Sequence, residues 1–279
     1  MDELTNVHLC FVGCGVMAES MIAGLLRQKL VTAGQVAGSH PREARRSELE
    51  QKYGIRMYEF NSEAAESVRG AENSAIVLSV KPQRISRVLH DLKGSVAHDG
   101  LVISIVAGAT IDRIADELGT DRVVRAMPNT PSQIGAGITA WTCSEAVNDE
   151  ERSRVRQLLV ALGKELYVES ENMIDMATSL SATGPTYIFM VMEALTDAGV
   201  HLGFSRDVAK ELVQETMLGS VKFAMESHKH PAELRNMVTS PGGTSAEAIY
   251  QMEKGTLRTV LSKAVYAAYK RAVELGNRS

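Results

Sequence analysis

The apolar run Val7-His8-Leu9-Cys10-Phe11-Val12 leads at once into Gly13-Cys14-Gly15-Val16-Met17-Ala18, and apolar residues at helical spacing then continue from Met17 to Gln28. Strand, tight glycine turn and helix in that order leave few folds open. The spacing is G-x-G-x-x-A: one glycine makes the turn, the second admits a pyrophosphate to the backbone, and a small third residue lets the helix pack on the strand. A second short strand, Gln35 to Ser39, follows at the distance a dinucleotide-binding unit requires.

The end of that second strand reports on the dinucleotide. An acidic residue there would accept bonds from a free ribose 2′-hydroxyl, whereas a 2′-phosphate needs donors and positive charge. The chain has Ser39-His40-Pro41-Arg42, with no carboxylate at the strand end, so NADPH is favoured and NADH is the alternative. Arg42, Arg45 and Arg46 equally suit the solvated face of a helix from Pro41 to about Tyr53.

Three more strands are expected at Ser74 to Val80, Leu101 to Val106 and Arg122 to Ala126, with helical stretches such as Pro82 to Leu92 and Thr110 to Leu118 between them. Such alternation implies a parallel sheet covered on both faces. Each strand ends in a punctuated segment, Lys81-Pro82, Ala107-Gly108 and Met127-Pro128-Asn129-Thr130-Pro131, and ligands of open sheets bind at strand carboxyl ends. These segments are expected at the nicotinamide half of the cleft. Lys81 suits a cofactor contact and, equally, a surface lysine before a helix-starting proline. Two further strands, Ile138 to Thr142 and Lys164 to Val168, flank a helix from Asn148 to about Leu162 and close the first domain at residue 168.

Composition narrows the function classes. Net charge is −4, and the arginines near residue 45 are interleaved with Glu43 and Glu48, so nothing reads as a nucleic-acid footprint. Cys10, Cys14 and Cys143 have neither paired nor zinc-type spacing, which suggests a reducing compartment and no metal. Cys14 in the glycine turn reads as a small filler rather than an activated thiol. The opening residues are acidic and carry no signal-peptide core, and the longest apolar run, Leu101 to Ala109, is too short to span a bilayer. A cytoplasmic protein without membrane or nucleic-acid partners is expected.

Beyond residue 168 the texture becomes all-helical. A stretch from Met173 to Leu202 is broken at Thr183-Gly184-Pro185-Thr186, and helices follow at Ser205 to Glu226, after Pro231, after Ser245 and from Thr256 to about Leu275. The expected organisation is therefore a Rossmann-type α/β domain over residues 1–168 and an all-α domain over residues 169–279. Runs such as Tyr187 to Met192 and Val260 to Ala268 are apolar on more than one face, which favours an interlocked homodimer over a compact intrachain bundle. Inside this half lies Ser240-Pro241-Gly242-Gly243-Thr244-Ser245, a turn opening a helix, with Thr244 or Ser245 expected at the cap. Free N–H groups at such a start suit a carboxylate or phosphate.

Together, Phe11 to Ala18, Val80-Lys81-Pro82, Ala107-Gly108, Met127 to Pro131, Gly184-Pro185-Thr186-Tyr187 and above all Val238 to Ser245 resemble the Δ1-pyrroline-5-carboxylate reductase family over essentially the whole chain. The resemblance implies an oxidoreductase of proline biosynthesis that reduces the cyclic imine 1-pyrroline-5-carboxylate to L-proline with hydride from NAD(P)H, in an intertwined helical homodimer able to assemble into a higher assembly of dimers. It also implies that Ser240, Thr244 and Ser245 hold the substrate carboxylate while Gly242 and Gly243 give it room. Gly13, Gly15, Val16, Met17, Ser39 and Arg42, with Asn61, Val80, Lys81, Ala107 and Gly108, would line the cofactor. Ser245 stands where the family usually has threonine, and Ser181-Ala182-Thr183 replaces a more Ser/Gly-rich stretch. The chemistry needs little beyond positioning, so no obligatory His or carboxylate is expected. Ser245 is the catalytic candidate as proton relay, with bulk water the alternative. A β-hydroxyacid dehydrogenase would need a lysine between Ile174 and Leu202, and none occurs. A non-catalytic NADP-binding regulator is the reading from another class.

Overall fold

The apolar runs become strands and the amphipathic stretches between them helices. A computed structural model describes Leu4, residues 6–71 and residues 73–277. Its order is β1 (His8–Val12), α1 (Val16–Arg27), β2 (Val36–Ser39), α2 (Glu43–Tyr53), β3 (Arg56–Tyr58), α3 (Asn61–Glu66), β4 (Ser74–Leu78), α4 (Ile85–Leu92), β5 (Leu101–Ser104), α5 (Ile111–Leu118), β6 (Val123–Met127), β7 (Gly137–Cys143), α6 (Asp149–Val160) and β8 (Gly163–Tyr167). The helices α7 (Asn172–Ala177), α8 (Gly184–His201), α9 (Arg206–Ser227), α10 (Pro231–Met237), α11 (Thr244–Lys254) and α12 (Leu257–Asn277) complete the chain.

The strands form one sheet in the order β3-β2-β1-β4-β5-β6-β7-β8. Side chains alternate across it, so Leu9 and Phe11 share one core with Met21 and Ile22 of α1 and Leu158 and Leu159 of α6. Cys10 and Val12 point the other way, to Ala64 of α3, Leu89 of α4 and Ile114 of α5. The result is a Rossmann-like sheet with helices on both faces. The chain reverses direction across the sheet between β1 and β4, the place where open α/β sheets bind ligands.

One expectation fails in detail: β7 runs antiparallel to β6. Only a short 3₁₀ turn, Thr130–Ile134, joins them, and a parallel neighbour would need a crossover of a dozen residues or more. With its direction reversed, β8 then pairs parallel to β7 through α6. The break at Pro185 is present. Pro185 lies in the first turn of α8, where its missing N–H costs nothing, and a turn of π-helix, Thr178–Ala182, separates it from α7.

By compactness the chain forms two units, Met1–Thr183 with Ala268–Ser279, and Gly184–Ala267. In the second, α8 and α9 pack closely: a Cβ on Gly199 would lie 2.9 Å from the Cβ of Ala209. Among the described residues, no helix is long and apolar enough to cross a membrane.

Candidate active site

The glycine turn is built by its neighbours. Gly13 has φ +88°, and a Cβ there would sit 2.3 Å from Cγ1 of Val80, so only glycine satisfies both conformation and space. The Ser39 hydroxyl accepts from the Gly13 N–H at 3.3 Å and donates to Oδ1 of Asn61 at 2.8 Å. From the other side the Ser79 hydroxyl lies 3.0 Å and 3.1 Å from the carbonyl oxygens of Val12 and Gly13. Held this way, the turn delivers α1 with Gly15 at its N-cap and no side-chain cap. The N–H groups of Val16 and Met17 have no acceptor among the described residues. Unused donors at the positive end of a 12-residue helix are what a pyrophosphate binds.

Cys14 points inward: its thiol donates to the Phe11 carbonyl, and burial pushes its pKa up to about 12. It is a packing residue, as the sequence suggests.

The arginines after β2 divide in two. Arg45 donates to Glu19 at 2.5 Å and to the Cys14 carbonyl at 3.3 Å and pairs with Glu48, while Arg46 reaches Glu59 and the carbonyls of His40 and Pro41. Arg42 is exposed, and its guanidinium has no partner among the described residues. Ser39 is fully buried and engaged with Gly13 and Asn61, so the open cation at this strand end is Arg42. Burial alone would raise the pKa of Glu19, but hydrogen bonds from Lys52, Arg45 and Tyr53 outweigh it and hold the carboxyl at about 2.

At the carboxyl ends of the neighbouring strands, Lys81 is exposed at the start of the 3₁₀ turn Pro82–Arg84, and Val80 is half-buried beside Gly13. Ala107 packs against Met127, Ala140, Val168 and Ile174, and Gly108 is buried. Oδ1 of Asn129 accepts from the Ile138 N–H at 3.0 Å, which pins the loop after β6 to β7.

In the helical unit, the Gly243 N–H donates to the Ser240 carbonyl at 3.0 Å, and Gly242 has φ +70°. With Pro241 before it, this is a type II turn, whose third position calls for glycine. The cap expected at Thr244 or Ser245 falls instead on Gly243, whose backbone is extended and whose carbonyl accepts from Ala246 and Glu247. A Cβ on Gly243 would lie 2.4 Å from the Ser240 hydroxyl, so that hydroxyl occupies the space a capping side chain would use. As a result Thr244 and Ser245 are the first two residues of α11, and their N–H groups have no acceptor among the described residues. Two amides, the hydroxyls of Ser240, Thr244 and Ser245 and a helix dipole thus share one short loop.

Sequence reading missed Ser79 and the ion-paired group of Arg125, Glu171 and Asp175. A single serine after a strand carries no periodic signal. The arginine offered a better clue, being a charge inside the otherwise apolar run Val123 to Met127.

The chain matches the family model for pyrroline-5-carboxylate reductase dimerisation over residues 171–275 and that described as NADP oxidoreductase coenzyme F420-dependent over residues 8–108. The pyrroline-5-carboxylate reductase of Pseudomonas aeruginosa is 37% identical over 273 residues, covering 98% of each chain. That of Synechocystis is also 37% identical over 273 residues, covering 98% of this chain and all of the relative. Among solved structures, the pyrroline carboxylate reductase of Plasmodium falciparum with NADP bound superposes with a TM-score of 0.88 at 28% identity, over 98% of this chain and 99% of that one. The enzyme from Coxiella burnetii gives 0.85 at 34% identity, over 98% of both.

Proposed function

From the premise that this chain belongs to the pyrroline-5-carboxylate reductase family, and so reduces 1-pyrroline-5-carboxylate to L-proline with hydride from a nicotinamide cofactor, we propose which of its residues carry the reaction. The reaction class is reduction of a C=N bond to CH–NH, the last step of proline biosynthesis. The cofactor role is assigned to residues 1–168 and the substrate and dimerisation role to residues 169–279, a division by role that differs from the compact units, the first of which runs to Thr183 and takes in Ala268–Ser279.

The observation that carries the assignment is the pair of unused N–H groups at Thr244 and Ser245. The substrate carboxylate accepts from these amides and from the hydroxyls of Ser240 and Thr244, while the φ > 0 turn at Gly242 and the bare Gly243 keep the loop open. Binding through main-chain donors fixes the ring's orientation, and orientation is the main requirement of a reaction whose electrophile is already activated. Ser245 carries the hydroxyl that relays a proton from solvent to the nitrogen, taking one from water as it gives its own.

The strand-end residues fit a dinucleotide. The amides of Val16 and Met17 take the pyrophosphate, Gly13 and Gly15 clear its approach, and Ser39 and Asn61 hold the turn in shape. Arg42 takes the 2′-phosphate, which makes NADPH the preferred form. Val80, Lys81, Ala107 and Gly108 line the nicotinamide side. When bound, the reduced nicotinamide supplies the hydride to the imine carbon.

The active form is a homodimer. Ala209 is the only buried residue in Gly184–Ala267, while Phe189 and Met190 are 56% and 64% exposed and Val221 and Phe223 are 58% and 51% exposed. Fully burying a side chain of this kind contributes about 1.5–3 kcal/mol. A second copy of the same helices is the cover that symmetry supplies.

The test is NADPH oxidation on addition of 1-pyrroline-5-carboxylate, in the wild type and in the double variant Thr244→Ala/Ser245→Ala. We expect KM for the imine to rise about tenfold or more, the loss of one or two hydrogen bonds to a charged group, with NADPH affinity nearly unchanged. Equal loss of both would make the loop structural and refute its role. No NADPH oxidation by wild-type protein that binds NADPH would overturn the activity itself.

A further inference from the structure

Arg125 lies within β6 and is 1% exposed. A guanidinium there is costly unless fully paired, and an apolar side chain of similar size would stabilise the sheet as well or better. Its pairing is directional. Nη1 donates to Oε1 of Glu171 at 2.9 Å and Nη2 to Oδ1 of Asp175 at 2.6 Å, while the buried Nε has no partner among the described residues. The two acids bracket Ile174, which sits in the small apolar cluster against which Ala107 packs.

Glu171 has a second task. The same Oε1 accepts the N–H of Ile111 at 2.9 Å. Ile111 opens α5 directly after Ala107-Gly108-Ala109-Thr110 and is otherwise a donor without an intrahelical acceptor. Arg125 therefore holds one carboxylate oxygen where it anchors the downstream end of that loop. The upstream end is held by β5 and by the Val106 N–H, which donates to the Ser104 hydroxyl at 3.3 Å.

We propose that Arg125 is a positioning residue for the nicotinamide end of the cofactor, acting through Glu171 on the loop Ala107–Gly108. The inference rests on that loop lining the nicotinamide. The buried ion pair stabilises one loop geometry in preference to adding overall stability.

Two ligands separate the roles: NADPH, titrated by its fluorescence, and adenosine 2′,5′-bisphosphate, which has the phosphorylated ribose and no nicotinamide, by competition. Glu171→Ala removes a half-exposed side chain and the anchor together; Glu171→Gln keeps an acceptor oxygen. For Glu171→Ala we expect NADPH to bind about five- to tenfold more weakly and the fragment to change less than twofold, with Glu171→Gln restoring NADPH affinity to within about threefold of wild type. Arg125→Met should behave as Glu171→Ala wherever it folds. Equal weakening of both ligands, or no change in either, overturns the inference. Ala107→Val checks the premise. If it alters NADPH binding while Glu171→Ala does not, the positioning role fails alone; if it alters neither ligand, the loop assignment fails and the inference with it.

Discussion

Arg42 and Arg45 lie three positions apart and have opposite fates. Arg45 is committed to Glu19, Glu48 and the Cys14 carbonyl, so it reinforces the glycine turn; Arg42 is left with an exposed guanidinium that has no partner among the described residues. A free fork beside a strand end is worth most against a doubly charged phosphate. Arg42→Ala should therefore weaken NADPH about tenfold and NADH less than twofold, measured as the two dissociation constants at one ionic strength. Equal effects on both would remove Arg42 from the 2′-phosphate. Cys14 shows the reverse relation between position and chemistry. It sits before a helix N-terminus, where thiols are often activated, yet burial dominates and holds the thiol at about 12. N-ethylmaleimide should leave Cys14 unmodified in the native protein at pH 7.5 and modify all three cysteines after denaturation; rapid native labelling of Cys14 would contradict its burial.

Between elements, the main electrostatic tie at the turn is Glu19 of α1, which takes bonds from Arg45, Lys52 and Tyr53 of α2. Its folded pKa of about 2 lies below the ordinary 4.5, so the unfolded chain binds its proton first as pH falls. The stabilisation is complete above about pH 4.5 and is lost toward pH 2. Glu19→Gln should cost on the order of 2 kcal/mol in urea unfolding at pH 7, with the gap to wild type closing through that window. A gap constant from pH 7 to pH 2 would show that the tie acts by shape and not by charge. Elements of this kind set the limits of sequence reading. Short, β-branched apolar runs such as Ile76-Val77-Leu78, alternating with helical stretches, read as strands, and several helices carry caps or breakers in sequence. By contrast, β3 is three residues long with an exposed Arg56, and α3 has a single short turn of alanines to bury, so neither has a period to detect. The reversed β7 follows from the brevity of its connection, a fact about space and not about residue pattern. At the substrate loop the residue types were legible, but the cap position was not, because the Ser240 hydroxyl fills the space that would have favoured a side-chain cap.

At the scale of the whole molecule, the helical unit lacks a core of its own. A segment of 22-residue and 18-residue helices with Ala209 as its buried residue cannot offset its conformational entropy alone. Light scattering should give at least twice the 30.2 kDa of one chain, and the melting temperature should rise with protein concentration. Gly199→Val, which pushes a methyl into Ala209 and parts α8 from α9, should lower the melting temperature and shift the mass toward one chain. A concentration-independent monomer in the wild type would refute the shared core. The solitary burial of Ala209 also bears on inheritance. In the proposed homodimer one copy completes the core of the other, so two alleles in one cell would build mixed pairs. A lesion in the helices would then spread its instability to the intact product and behave as dominant, whereas a lesion confined to the cofactor's strand ends would spare its partner and behave as recessive.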